Sequence, residues 1–286
     1  MATKHIHWFP GHMVKALREI ETKAKYIDVF IELLDARAPR SSKNPYLGQI
    51  SPQKPRLLVL TKSDLAVSKE VAEWVKTLKK DNQAVIACNL ASHASRKLIL
   101  KALRPFYEQK KAKDQNRGLK PQPLRALVVG IPNVGKSTLI NCLVGRRSAK
   151  AANRPGLTRG QQWVKVSPEF ELVDTPGILP PNYDDQTSAL HLAMIGTIPS
   201  HILPSDRIQK AIFEFLIKKH PDYLMKRYDL TNDELASLPE LYLGIAKRRG
   251  LLQNAEYDLA SAGTVLQNEF RLGILGPIVL DEIEDA

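Results

Sequence analysis

ALVVGIPNVGKST, residues 126–138, decides the fold of this chain. Ala126 to Val129 is a short apolar run that reads as a buried strand, and Thr138-Leu139-Ile140-Asn141 opens a helix. The loop between them, Gly130 to Ser137, satisfies G-x-x-x-x-G-K-[ST] in the strand-loop-helix setting the motif requires. Its glycines let backbone N–H groups turn inward around a polyphosphate, Lys136 is placed to reach the β and γ oxygens, and the Ser137 hydroxyl is placed to ligate Mg²⁺. Asn133, Val134, Gly135, Lys136, Ser137 and Thr138 are therefore the expected phosphate cradle.

Working outward, four more apolar runs match that strand: Val29–Leu34, Arg56–Leu60, Ala84–Cys88 and Phe170–Val173. Continuous rather than alternating apolarity suits strands covered on both faces, as in a parallel sheet. Helical patterns lie at Val14–Tyr26, Ser68–Lys80 and Ser95–Lys111, so an α/β domain is expected over residues 1–180. After Pro180-Pro181 only helical patterns remain, such as Arg207–Lys219 with Ile208, Ala211, Ile212, Phe215 and Leu216 on one face. Residues 181–286 are therefore expected to form an all-α domain.

The strand ends carry the chemistry. Asp174-Thr-Pro-Gly177 follows FELV, where a carboxylate is needed in the Mg²⁺ shell and a glycine amide senses the γ-phosphate. Between this and the phosphate loop, Asn153-Arg-Pro-Gly-Leu-Thr158-Arg-Gly160 offers Thr158 as a further metal ligand. Thr61-Lys62-Ser63-Asp64 ends RLLVL; a strand-end Asp accepts both N1–H and N2–H of guanine, a pairing adenine cannot offer, while a Lys stem packs on the base. Asn89-Leu90-Ala91-Ser92 follows AVIAC, where a backbone N–H can meet guanine O6. Asp64 argues against an ATP-using enzyme. These are the elements of a GTPase in permuted order, because base recognition at 61–64 and 89–92 precedes the phosphate loop. The expected fold is a circularly permuted P-loop GTPase domain with a mostly parallel sheet. Permutation also runs Asp174–Gly177 directly into the helical part, so switch movement is passed covalently to it.

The chain has 286 residues, and 42 Lys/Arg against 30 Asp/Glu leave a net charge of +12. Residues 1–180 hold 32 Lys/Arg and 14 Asp/Glu, a net +18, and the remainder is −6. An anionic partner is expected on the first domain. Ordinary hydrophobic content excludes a disordered chain, and two cysteines, Cys88 and Cys142, are too few for a disulfide framework. Neither a membrane span nor a secretory leader is apparent, so a cytoplasmic protein is expected. Lys101–Lys120 reads as a helix end running into a flexible connection, either a charged linker or a dedicated RNA contact. Asp35-Ala-Arg37-Ala-Pro39-Arg40 reads as an RNA contact, a support for the switch face or a plain charged loop. Lys247-Arg248-Arg249 reads as a phosphate contact or as cations at a helix C-terminus.

Trp8-Phe-Pro-Gly-His12-Met-Val-Lys15, Asp35-Ala-Arg37-Ala-Pro39, TKSD, GIPNVGKS, PGLTRG and DTPG together resemble the YlqF-type family of circularly permuted GTPases over nearly the full length. Thr61 stands where many GTPases carry Asn, within that family's range. The resemblance implies GTP hydrolysis to GDP coupled to late maturation of the large (50S) ribosomal subunit, with precursor particles, rRNA and ribosomal proteins as partners and the helical domain touching RNA. Ile178 occupies the position where a Ras-like enzyme carries its water-positioning Gln. The resemblance points instead to His12 as the catalytic group beside Lys136, with turnover slow alone and stimulated by the particle. It also makes Asn133 a candidate for holding K⁺ beside the phosphates. The alternative reading is an rRNA-binding scaffold that uses GTP only as an affinity switch.

Overall fold

The apolar runs become neighbouring strands of one sheet. The computed structural model describes residues 11–145, 163–173, 175, 185–198 and 203–283, with backbone only at 11–14 and 16. In chain order the first part contains α1 (Gly11–Ala24), β1 (Val29–Asp35), α2 (Pro45–Gln49), β2 (Arg56–Thr61), a 3₁₀ turn at Ser63–Leu65, α3 (Ser68–Thr77) and β3 (Gln83–Cys88). It continues through α4 (Ala94–Asn116), β4 (Leu124–Gly130), α5 (Lys136–Val144), β5 (Val164–Ser167) and β6 (Phe170–Val173).

The six strands lie in the order β3-β2-β1-β4-β6-β5. Every pairing is parallel except the β5–β6 edge. All residues of β1 and β2 are buried, which is why their sequences show no alternation: helices cover both faces of the sheet. From β1 the chain moves outward to β2 and β3, then returns to place β4 on the other side of β1. The strand order therefore reverses between β1 and β4, and ligands of open α/β sheets bind outside the carboxyl ends at such a point. The strand β5, too short and too mixed for a clear period, was not expected from the sequence.

Contacts divide the chain into two compact units, one of them running through the described residues from 185 to 278. The other takes the sheet and its helices, together with the segment from Val279 onward. The sequence reading divides the chain once, after residue 180, whereas the contacts return Val279 to the sheet unit. Val279 packs there with Leu34, Leu58, Leu60 and Trp74, and a β-branched side chain of this kind contributes about 1.5–3 kcal/mol when fully buried.

The second unit holds α6 (Gln186–Met194), α7 (Ser205–Lys219), α8 (Pro221–Tyr228), α9 (Leu238–Arg249) and α10 (Leu259–Leu272). The expectation of helices alone needs one correction: β7 (Leu252–Gln253) and β8 (Glu256–Tyr257) pair as an exposed hairpin between α9 and α10. Asn254 and Ala255 turn it with φ of 52° and 68°, the left-handed pair of a tight hairpin turn. Asp185, Ser237 and Asp258 cap α6, α9 and α10 with side-chain oxygens. Pro204 occupies the cap position of α7 without a side-chain cap hydrogen bond, and Asp206 falls in its first turn. No helix among the described residues is long and apolar enough to cross a membrane.

Candidate nucleotide site

Asp35, Thr61, Cys88 and Gly130 end four parallel strands, and the loops that follow them meet at one edge of the sheet. The phosphate loop leaves β4 at Gly130, whose φ is 150°. A Cβ there would come within 2.8 Å of the Leu33 carbonyl oxygen, so only glycine lets β4 lie this close to β1. Asn133 and Gly135 are also left-handed, with φ of 58° and 109°, and residues of that hand are what curl successive amides into an anion-binding concavity. A Cβ on Gly135 would lie 3.1 Å from Leu90 Cδ1.

Lys136 opens α5 and is 9% exposed. Its ammonium donates to the Ile131 carbonyl at 2.7 Å and to the Gly130 carbonyl at 3.1 Å, spanning the mouth of the loop. Ser137 and Thr138 are exposed in the first helical turn, with their backbone N–H groups among those a helix start leaves unpaired. Thr175 anchors the segment after β6: its hydroxyl donates to the Val128 carbonyl at 2.7 Å and the side chain is buried.

Thr61 ties the end of β2 to the loop that follows β4. Its hydroxyl lies 2.7 Å from the Val134 carbonyl in the phosphate loop and 3.0 Å from the Leu34 carbonyl at the end of β1. That bridge gives a physical reason for a hydroxyl where other GTPases carry an amide. Lys62 takes a left-handed backbone, φ 55°, and starts the 3₁₀ turn that presents Ser63 and Asp64. Asp64 is exposed and its carboxylate has no hydrogen-bond partner among the described residues, leaving both oxygens free to accept.

Beyond β3, Asn89 Oδ1 accepts the Ala91 N–H at 2.9 Å, and the Asn89 carbonyl accepts the Ser92 N–H at 2.9 Å and the Ser95 hydroxyl at 2.6 Å. Within the segment expected to offer an amide to guanine O6, the Ala91 N–H is thus occupied, while the Leu90 N–H has no partner among the described residues. Leu90 is buried against the phosphate loop.

Four expected site residues lie outside what is described: Thr158, Asp174 and Gly177 altogether, and the side chain of His12, whose backbone belongs to the first turn of α1. Ile178 and the basic Arg146, Arg147 and Lys150 lie outside as well.

Two charged motifs resolve toward structural roles. Asp35 and Arg37 are each 1% exposed, so neither is open to RNA. Arg248 pairs through both terminal nitrogens with Glu234 at 2.7 and 2.9 Å, and Arg249 pairs with Glu269 at 2.9 Å and lies over the Tyr228 ring. Gly250 closes α9 in the left-handed conformation. This end of α9 is a helix terminus with its cations already engaged, and only Lys247 is left without a partner among the described residues.

Fold and site together define a circularly permuted GTPase. Across 283 residues the chain is 42% identical to ribosome biogenesis GTPase A of Bacillus cereus, covering 98% of this chain and 95% of that one. This chain belongs to the ribosome biogenesis GTPase A (YlqF-type) family. The Bacillus licheniformis relative of the same name is 41% identical over 98% of this chain and 99% of its own. A solved GNP-bound YlqF from T. maritima superposes with a TM-score of 0.66 at 26% identity, covering 95% of this chain and all of that one. A family model described as 50S ribosome-binding GTPase matches residues 125–221. That match takes in the phosphate loop and DTPG but excludes TKSD at 61–64, as expected when base recognition has moved upstream.

Proposed function

We propose that this GTPase acts in assembly of the large ribosomal subunit, binding precursor particles in a nucleotide-dependent way. The observation that carries the nucleotide part is the Thr61–Val134 bridge of 2.7 Å, which ties the base-recognition strand to the phosphate loop despite their permuted order. The ribosomal part is supported by the relatives' names and by charge. Sedimentation with large-subunit precursors should show stable association in GTP or a non-hydrolysable analogue and loss of it in GDP. Equal association in all three states overturns the reading, and release by a GTP-binding, hydrolysis-dead variant would favour the affinity-switch scaffold.

In this reading Asp64 accepts N1–H and N2–H of guanine, the Leu90 N–H meets O6, and the Lys62 stem packs on the base. Residues 133–138 hold the phosphates, and Lys136 moves from the two loop carbonyls to the β/γ oxygens. The oxygen donors Ser137, Thr158 and Asp174 suit a hard divalent cation, and the exposed Ser137 hydroxyl beside the buried Lys136 ammonium fits that arrangement. Bound Mg²⁺ would supply charge neutralisation on the β and γ oxygens.

His12 is assigned to orienting or accepting a proton from the attacking water, since Ile178 has no group for it. Intrinsic turnover is expected at roughly 10⁻⁴ to 10⁻² s⁻¹. His12→Ala should keep GTP affinity and lose particle-stimulated turnover by about 10²–10⁴-fold; stimulated turnover equal to wild type removes His12 from the reaction. Asn133 is assigned to K⁺, so single-turnover hydrolysis should run faster in KCl than in NaCl at equal ionic strength. Equal rates withdraw the assignment.

The surface most suited to RNA phosphates among the described residues is α4. The expected charged connection is instead helical through Asn116. Lys97, Lys101, Lys113, Arg117 and Lys120 project from it or follow it, exposed and without ion-pair partners. A concavity of about 470 Å³ at its far end is lined by Lys54, Lys110, Lys113 and Arg117 together with Asp28 and Asp114, with Lys110 already paired to Asp28 at 2.9 Å. Replacing Lys97, Lys101, Lys113 and Arg117 by Gln should weaken particle binding and reduce the slope of log K against log salt by about 3. An unchanged slope places the contact elsewhere, with Arg146, Arg147 and Lys150 next to be neutralised.

A further inference from the structure

Beside the base-recognition loop lies a buried charge cluster that catalysis does not use. Asp35, the last residue of β1, accepts four hydrogen bonds on its carboxylate. Oδ1 takes the Arg37 backbone N–H at 3.1 Å and Nε at 2.9 Å; Oδ2 takes an Arg37 terminal nitrogen at 2.8 Å and Lys62 Nζ at 2.8 Å. Burial pushes this carboxyl up, but Arg37 and then Lys62 outweigh it and hold the group down at about 2. The carboxylate is therefore ionised at every physiological pH. Arg37 alone already matches its charge and shape, forming a forked pair within one turn. The bond to Lys62 is additional, and Lys62 belongs to the base-recognition motif.

The turn that carries Arg37 is clamped from the other side. Leu280 N–H donates to the Arg37 carbonyl at 2.8 Å, and Asp281 accepts both the backbone N–H and the hydroxyl of Ser41, at 2.8 and 2.5 Å. Next to Ser41, the Ser42 hydroxyl accepts the Asp35 N–H at 2.9 Å. Val279, Leu280 and Asp281 are all buried. These residues follow the whole helical unit in sequence, yet they pack in the sheet unit with Asp35 and Lys62.

A free lysine side chain carries about 2 kcal/mol of rotamer entropy, which must be given up when its stem is ordered against a ligand. An ammonium already anchored on a buried carboxylate loses that freedom before the base arrives. We propose that Asp35 is a positioning residue for guanine-nucleotide binding, acting through Lys62, and that segment 279–283 is a strap that holds Asp35 in place. This rests on the reading of residues 61–64 as the base site. It makes nucleotide affinity depend on a segment that follows the helical unit in sequence, so that unit is joined through the chain at both of its ends to nucleotide-sensing parts.

The test is equilibrium titration with fluorescent GDP alongside thermal melts of the full chain. Lys62→Ala and Asp35→Asn should each raise the dissociation constant about 10-fold. The double variant should be no weaker than Lys62→Ala alone, a non-additivity that a merely structural Asp35 would not produce. Asp281→Ala loosens the strap and should raise the constant about 3- to 10-fold; it decides the matter if Asp35→Asn does not fold. Wild-type affinity in folded Asp35→Asn or in Asp281→Ala, or additive losses in the double variant, overturns the proposal. Asp64→Asn separates the two levels: if it too binds GDP normally, the base-site reading has failed, and if it alone loses GDP, only this inference has.

Discussion

Asp64→Asn is expected to convert the protein from GTP to XTP recognition. The Asp64 carboxylate is exposed in the 3₁₀ turn that follows β2, with no partner among the described residues. Two free oxygens match two guanine donors, N1–H and the 2-amino group, and each charge-assisted hydrogen bond contributes about 1.5–3 kcal/mol. An amide keeps one acceptor and turns the other into a donor, which then faces the 2-amino group. Both bonds are compromised, so GTP affinity should fall by roughly 10²–10⁴-fold. Xanthine replaces the 2-amino group with a carbonyl and so restores two good pairings to Asn. Competition titrations should show XTP displacing fluorescent nucleotide from the variant where GTP does not, with ATP weak against both proteins. A variant that still prefers GTP places base recognition outside residues 61–64.

The order of the strand-end loops was legible because each sits on a local sequence signal: an apolar run, then a turn, then a residue type demanded by the ligand. All five expected strands are present in the sheet, and the absence of alternation in VFIELL and RLLVL correctly implied burial on both faces. What escaped was long-range. Val279, Leu280 and Asp281 carry no local signal that they leave the helical unit and pack beside Asp35, since their partners lie some 240 positions away. For Asp35 and Arg37 the sequence leaves RNA contact, support of the switch face and a plain charged loop all open; their mutual hydrogen bonds and burial are visible only in three dimensions. Lys247-Arg248-Arg249 shows the same limit from the other side, since basic composition suggested phosphate while Glu234 and Glu269 already neutralise two of the three.

Lys136→Ala is expected to impair both GTP binding and hydrolysis. In the structure its ammonium is nine-tenths buried and held by the Gly130 and Ile131 carbonyls, a position from which a short movement delivers it to the β and γ oxygens. A cation held ready in a low-dielectric loop stabilises charge on the transferring group without reorganisation at the moment of reaction, and loss of one such preorganised donor lowers turnover by about 10²–10³-fold. Because the same ammonium meets the phosphates before reaction, part of the loss should appear as weaker GTP binding. The two loop carbonyls lose their donor at the same time, which loosens the turn that Gly130 and Asn133 set up with positive φ. Lys136→Arg should not rescue, since a planar guanidinium cannot reproduce a compact ammonium bridging two carbonyls inside the loop. Single-turnover hydrolysis with saturating particle would read the defect directly. Turnover within threefold of wild type in Lys136→Ala would move the catalytic cation away from this loop, and with it the reading of residues 126–138 as the phosphate site.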